Sequence, residues 1–251
     1  MRLASPALAR AALEYRWLLD RRYSASAALK LVGDRHQMSR DERMILFRGV
    51  ASKKDSEARS ALIAAPESIG PGCRILVDGY NQALTVMHYL SGRPLFVGTD
   101  GLTRDAGAAH GRIADRDRFE RSLGFLADGL AALSPERVAV YLDAPVPGSA
   151  AHAALFRSSL EERGVEAIVL LERSADAPLK AAKGLGSESL LVATGDSAIA
   201  DALAGAGSGA SAPTGPSARL YDAARRAIEE AFWPVELLDL GRLLELPNDA
   251  L

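Results

Sequence analysis

The feature that most limits what this chain can fold into is a device that recurs along it. A short aliphatic run ends at an acid and passes at once into a helical pattern. Arg74-Ile75-Leu76-Val77-Asp78-Gly79-Tyr80-Asn81 is its sharpest instance. Val138 to Leu142 ends on Asp143, Leu190 to Thr194 runs through Gly195 into Asp196, and Val165 to Leu171 is followed a few residues later by Asp176. Strands that alternate with helices predict an α/β fold, a mainly parallel sheet with helices on both faces. The carboxyl ends of such strands line one crevice, and ligands bind there. Singly, each acid has a plainer explanation: Asp78, Asp176 and Asp196 precede helices, where aspartate is a favoured cap. Jointly they do not, because Asp78, Asp143 and Asp196 stand at or just past the ends of three strands of one sheet, and caps need not share an edge. Carboxylates gathered there repel unless a cation lies between them. Asp78, Asp143, Asp176 and Asp196 are therefore the expected metal ligands and catalytic residues.

The chemistry of the rest of the chain narrows the ion. The single cysteine, Cys73, leaves no internal disulfide and no cysteine zinc cluster, and reads as a buried structural thiol before the first strand. His36, His88, His110 and His152 lack zinc spacing, and His88 reads as a packed core histidine. Oxygen ligands favour Mg2+ or Mn2+. Hydrophobic residues at 48% and charged residues at 25% predict a soluble protein with a substantial core. No apolar run approaches the roughly 18 residues of a membrane helix, and the first residues lack a signal peptide's apolar core. The expectation is a cytoplasmic protein with no membrane partner.

Residues 1–60 carry 13 Lys and Arg against 7 Asp and Glu, whereas the remainder carries 17 against 25. A basic head on an acidic body suggests a head that meets polyanions and a body that gathers cations. In the head, residues 6–21 predict a helix with an apolar stripe through Leu13, Trp17 and Leu18. Ser24 to Val32 predicts a second helix stopped by Gly33, and Ser39-Arg40-Asp41-Glu42 is a capping box opening a third. These are either a helix-turn-helix-like nucleic-acid module or a helical cap. The loosened stretch 61–72, with Pro66, Gly70, Pro71 and Gly72, is the expected linker to a domain at 73–251. Inside that domain, Asp100-Gly101 between two β-like pieces signals a hairpin, inserted at 94–111. Phe119, Leu123, Leu126, Leu130 and Leu133 mark the clearest helix. The Gly/Ala/Ser/Pro-rich stretch 205–218 reads as a flexible insertion, with a helix from Tyr221 to Trp233 and a last strand from Val235 to Leu240 after it.

The site chemistry fits phosphodiester hydrolysis, with one or two divalent ions activating water and polarising the phosphoryl oxygen. Asn81 could orient a water or phosphate, or cap its helix. Arg104, Arg112, Arg116 and Lys180 are candidate phosphate contacts, and Asp100 and Asp105 on the hairpin could reach the same crevice. Val77-Asp78-Gly79-Tyr80-Asn81 and Thr194-Gly195-Asp196-Ser197-Ala198-Ile199 resemble the first and last acidic motifs of PIN-like nucleases, particularly their NYN branch. Asp176-Ala177-Pro178-Leu179 and Leu142-Asp143 resemble the acids between them. Over nearly its full length the chain also resembles an uncharacterised prokaryotic family that joins a short basic helical domain to a PIN-like domain. Its marks are Lys30-Leu31-Val32-Gly33-Asp34-Arg35, Asp100-Gly101 with Arg104-Asp105, and Thr194-Gly195-Asp196-Ser197. The resemblance implies a metal-dependent nuclease, commonly acting on RNA; pairing with a second copy of the chain stays open. Two alternatives stand beside it. One is a nucleic-acid-binding or adaptor protein that keeps the fold without the chemistry. The other is a haloacid-dehalogenase-like phosphatase, disfavoured because Tyr80 and Pro145 stand where a second aspartate would follow Asp78 or Asp143.

Overall fold

The computed structural model describes residues 5–107, 113–182, 189–205 and 218–245. Four helices come first: α1 (Pro6–Asp20), α2 (Ala25–Arg35), α3 (Arg40–Gly49) and α4 (Lys53–Ser60). Then follow β1 (Arg74–Asp78), α5 (Gly79–Leu90), β2 (Leu95–Val97), β3 (Thr103–Asp105), α6 (Arg116–Ala131), β4 (Arg137–Asp143) and α7 (Ser149–Glu161). The chain continues through β5 (Ala167–Glu172), α8 (Asp176–Ala181), β6 (Leu190–Ala193), α9 (Ser197–Ala204), β7 (Arg219–Tyr221) and α10 (Ala223–Phe232). It ends with β8 (Leu238–Asp239) and α11 (Leu240–Glu245). By contacts it divides into two compact units, Met1–Ala61 with Gly92–Ala108 and Glu236–Leu251, and Leu62–Ser91 with Ala109–Val235. No helix among the described residues is long and apolar enough to cross a membrane.

The second unit is the α/β one. Its five strands are all parallel, in the order β5-β4-β1-β6-β7. β1 is central. The chain goes from β1 to β4 and β5 on one side, then crosses to β6 and β7 on the other, so the order reverses at the β1/β6 boundary. That reversal opens a crevice at the carboxyl ends of those strands. Alternate strand residues, Ile75, Val77, Val138, Val140, Leu142, Leu191 and Ala193, share one apolar cluster with Ala83, Phe119, Leu123, Leu126 and Phe156 from the helices. Their spacing is the two-residue period of a pleated strand meeting the helical period of α6. The expected α/β class with a helical head holds. β7 is a strand the sequence does not predict: only three residues long, it follows directly on the Gly/Ala/Ser/Pro-rich stretch and takes Tyr221, so the helix expected from Tyr221 begins at Ala223. Most of that stretch, 206–217, lies outside the described residues.

The first unit is mainly helical. Ser5 caps α1, accepting from the Leu8 N–H at 3.1 Å, and Pro6 takes the first position, where no amide donor is needed. Its buried stripe is Leu8, Ala11, Ala12, Tyr15 and Leu18. Trp17, expected on that stripe, is instead 52% exposed, with the Arg21 guanidinium stacked 3.6 Å over its ring. Gly33 does not stop α2, which continues to Arg35. A Cβ at 33 would come within 2.2 Å of Arg43 Nη1, so glycine makes room for the Arg43 pair with Asp34. The expected capping box of Ser39 and Glu42 is formed.

The predicted hairpin exists as antiparallel β2 and β3, but β2 also pairs in parallel with β8, making a three-stranded sheet separate from the large one. Phe96, Leu238, Leu240 and Leu243 share an apolar cluster with Leu8, Tyr15, Val32 and Leu46. That shared core is why the hairpin and the chain end group with the N-terminal helices, whereas the sequence reading placed both inside a domain at 73–251.

Candidate functional site

The site is built on the carboxyl edge of the parallel sheet. Asp78 ends β1 and is buried, 8% exposed. Gly79 opens α5 directly behind it, because a Cβ there would fall 2.4 Å from Leu142 Cδ2 and 2.7 Å from Val140 Cγ1. β4 therefore lies so close that only glycine fits, and α5 rises at once from the strand end. Asp78 does not cap that helix through its side chain. Its Oδ2 accepts instead from the Thr194 hydroxyl at 2.8 Å, and Thr194 Oγ1 accepts from the Asp196 N–H at 3.0 Å. A second tie runs alongside: Asn81 Oδ1 accepts from the Gly195 N–H at 2.7 Å and from Gln82 Nε2 at 2.9 Å. Gln82 Oε1 in turn accepts from the Ala224 N–H at 2.8 Å. Asn81 thus joins the first turn of α5 to the β6–α9 turn and does not cap its helix.

The other acids stand on neighbouring elements. Asp143 ends β4, and its Oδ1 accepts from the Ala175 N–H at 2.9 Å. Asp176 opens α8 and pairs through Oδ2 with Lys180 Nζ at 2.7 Å. Asp196 caps α9, Oδ1 accepting from the N–H groups of Ala198 at 2.6 Å and Ile199 at 3.2 Å. The capping explanation therefore applies through the side chain to Asp196 among the three acids that precede helices. Each carboxylate spends one oxygen on a protein donor, and among the described residues the second oxygen accepts none.

Electrostatics ties the four together. Burial pushes the Asp78 carboxyl up to about 7, the Thr194 hydroxyl opposes that, and the charges of Asp196, Asp176 and Asp143 add to it. The Lys180 ammonium is raised by its bond to Asp176, with the charges of Asp176 and Asp196 contributing. Among the described residues no three Asp, Glu, His or Cys side chains stand close enough, as they are oriented, to hold one ion between them. A Mg2+ or Mn2+ ion is usually held through one or two carboxylates and keeps much of its water shell. Hard oxygen donors around a buried carboxylate whose negative charge is poorly offset fit such a hydrated ion.

The remaining predicted residues divide. Arg116 opens α6, largely exposed, and pairs with Glu120 at 2.6 Å. Arg112 lies outside the described residues. Asp100, Arg104 and Asp105 belong to the helical unit, and the expectation that they meet substrate gives way to a structural role. Arg104 grips Asp100 with both forks at 2.8 Å, and Arg59 adds a third bond at 3.0 Å, all three side chains being buried. Burial disfavours the Asp100 charge, but the two guanidinium groups outweigh it and hold the carboxyl below its ordinary range. Asp105 is buried and pairs with Arg48 at 3.3 Å. A guanidinium whose forks both face a buried carboxylate has no face to offer a phosphate.

Sequence reasoning missed one further group. Tyr80, on the first turn of α5, meets His152 Nδ1 at 3.0 Å through its hydroxyl, and the His152 ring also packs edge-on against Phe119 at 5.0 Å. His152 lies on the first turn of α7, which follows β4 and Asp143. The signal available was weak: a histidine three residues into a helix just past a strand-end acid.

A family model described as "Domain of unknown function (DUF5616)" matches residues 69–206, a span that includes all four acids. Another, "Protein of unknown function (DUF434)", matches residues 7–61. The chain is 23% identical over 186 residues to the uncharacterized protein MJ0935 of Methanocaldococcus jannaschii, covering 74% of this chain and 85% of that one. No solved structure matches it. With more than half its length under the first of these models, this chain belongs to the DUF5616 family.

Proposed function

We propose that this chain is a divalent-metal-dependent nuclease, with a PIN-like α/β unit, that hydrolyses phosphodiester bonds in RNA. The observation that carries this reading is the gathering of three acids, Asp143, Asp176 and Asp196, about one buried carboxylate, Asp78, at the reversal point of a parallel sheet. Each of the three makes a local structural bond, but their gathering carries a cost, since each added carboxylate makes Asp78 harder to ionise.

Asp78, Asp143, Asp176 and Asp196 would hold Mg2+ or Mn2+, directly or through its water shell. Such an ion lowers the pKa of a bound water and polarises a phosphoryl oxygen. The protein's own part is positioning. Thr194 holds Asp78 Oδ2, which leaves Oδ1 for a ligand. Asn81 locks the Gly195 turn against α5, so Asp196 is presented beside Asp78. Lys180 balances Asp176, and Arg116, exposed and paired with Glu120, would exchange that partner for a phosphate.

The test is cleavage of single-stranded RNA by the purified chain in Mg2+ or Mn2+, with EDTA as the blank. Asp78→Asn and Asp196→Asn should each reduce cleavage to background while circular dichroism stays unchanged. Full turnover in either variant would sink the proposal. A second reading, a nucleic-acid-binding protein without catalysis, draws support from the absence of three acids within reach of one ion among the described residues. RNA binding without cleavage in either metal would select it.

A further inference from the structure

Tyr80 and His152 form a hydrogen-bonded unit beside the acids. The two side chains rise from the first turns of α5 and α7, just beyond the strand-end acids Asp78 and Asp143, and the hydroxyl lies 3.0 Å from Nδ1. The phenol carries its proton at any ordinary pH. When the imidazole is neutral, a Tyr80 hydroxyl that donates to Nδ1 holds the ring's own hydrogen on Nε2, whereas the other tautomer, with Nδ1–H donating to the phenol oxygen, leaves Nε2 a bare acceptor. When the imidazole is protonated, both nitrogens carry hydrogen. Nε2–H is therefore present in the protonated ring and in the neutral tautomer that accepts from Tyr80.

That N–H is held rigidly and left open. The ring packs edge-on against Tyr80, centroids 5.8 Å apart, and against Phe119 at 5.0 Å, which fixes its plane. Among the described residues Nε2 has no hydrogen-bond partner. Gly148, at φ +84°, precedes α7; a Cβ there would lie 3.5 Å from Nε2 and 3.4 Å from Cε1. The left-handed backbone favours glycine there, so no side chain from position 148 stands beside that edge. Two charges flank the pair. Burial first, then the positive charge of Arg116, lowers the proton affinity of His152, and Asp143 adds to burial in pushing the Tyr80 hydroxyl up to about 12. A fixed neutral donor beside an exposed guanidinium, next to an acidic cluster, suits an anionic oxygen arriving from solvent.

Resting on the nuclease reading, we infer that His152 Nε2–H binds a non-bridging phosphate oxygen of the RNA backbone, with Arg116 as its charged companion, and that Tyr80 is the positioning residue that keeps that hydrogen on Nε2. The neutral member supplies direction, and the charged one supplies long-range attraction.

The test is binding of a short fluorescein-labelled single-stranded RNA to the full chain, followed by anisotropy, with Ca2+ in place of Mg2+ so that affinity is read apart from turnover. His152→Asn keeps an amide near Nδ1 for Tyr80 but offers nothing at Nε2, and should weaken binding about tenfold. His152→Gln reaches the Nε2 position with an N–H and should stay within about threefold of the parent. Because a neutral donor displaces no counterion, His152→Asn should leave the salt dependence unchanged, whereas Arg116→Ala should lower its slope by about 1. Nitrogen NMR of the native chain should find the neutral ring protonated at Nε2, and Tyr80→Phe should release that preference. Equal binding by His152→Asn and the parent, or an Nδ1–H ring in the native chain, overturns the inference while leaving the nuclease reading intact. If the native chain binds no RNA, both fall, and if it cuts RNA with His152→Asn unimpaired in affinity, only the inference falls.

Discussion

At the scale of single residues, Asp78 carries the most consequence. Its ordinary carboxyl value is 3.8, and in the fold it is pushed up to about 7, burial first. In metal-free protein the unfolded chain releases this proton near pH 4, whereas the folded chain keeps it until near pH 7. Stability contributed by the protonated carboxyl is complete below the unfolded value and is lost as pH rises through that window, by about 4 kcal/mol in all. Asp78→Asn removes the ionisation. Urea unfolding in EDTA should show the variant and the native chain close together near pH 4, and the variant more stable by up to about 4 kcal/mol near pH 8. A gap that does not change with pH would show that Asp78 is not perturbed. A buried carboxylate that carries such a cost is what the proposed ligand-holding role requires. The sequence displayed Asp78, Asp143, Asp176 and Asp196 openly, since each follows a strand pattern. It misled on Arg104 and Asp105, because an exposed charge on a hairpin and a buried one have the same spelling.

At the scale of elements, the β1–α5 turn sets the site. Gly79 lies against Leu142, Val140 and the Tyr141 carbonyl, so Gly79→Ala should overpack the turn. The expected loss is about 1–3 kcal/mol in thermal or denaturant unfolding, together with reduced cleavage, because α5 carries both Asn81 and Tyr80 away from their partners. A melting curve that matches the native chain's would show that the turn has slack. Most helices were legible: the Ser39 capping box begins α3 as expected, and the apolar period of α6 places Phe119, Leu123, Leu126 and Leu130 in the core. β7 was not. Three residues hold too little alternation to set them apart from the helix that follows.

At the scale of the whole molecule, the proposed metal site would link ion binding to unfolding. An ion that binds the folded site and not the unfolded chain stabilises by mass action, about 2.7 kcal/mol at a hundredfold excess over its dissociation constant. Mn2+ or Mg2+ should therefore raise the melting temperature of the native chain at pH 8, with the rise lost in Asp78→Asn; Zn2+ should not be specially favoured, because the donors are oxygens. Scanning calorimetry measures this directly, and an equal rise in both proteins would locate the ion elsewhere. The division into two units was only half visible. The basic character of residues 1–60 separates them from the acidic remainder, but nothing local announces that 92–108 and 236–251 complete the first unit.

The amino-acid order by itself determined the α/β class, the capped helices and the acids at strand ends, because each is written in a period of two or 3.6 residues or in a cap next to its own helix. Only the tertiary structure decided that β4 and β6 flank β1, so that Asp143 and Asp196 come to either side of Asp78. It alone decided that Phe96 pairs beside Leu238, and that His152 turns its Nδ1 to Tyr80. Pairing between strands far apart in the chain is settled by the packing of whole faces, and no short stretch holds the energy that chooses it.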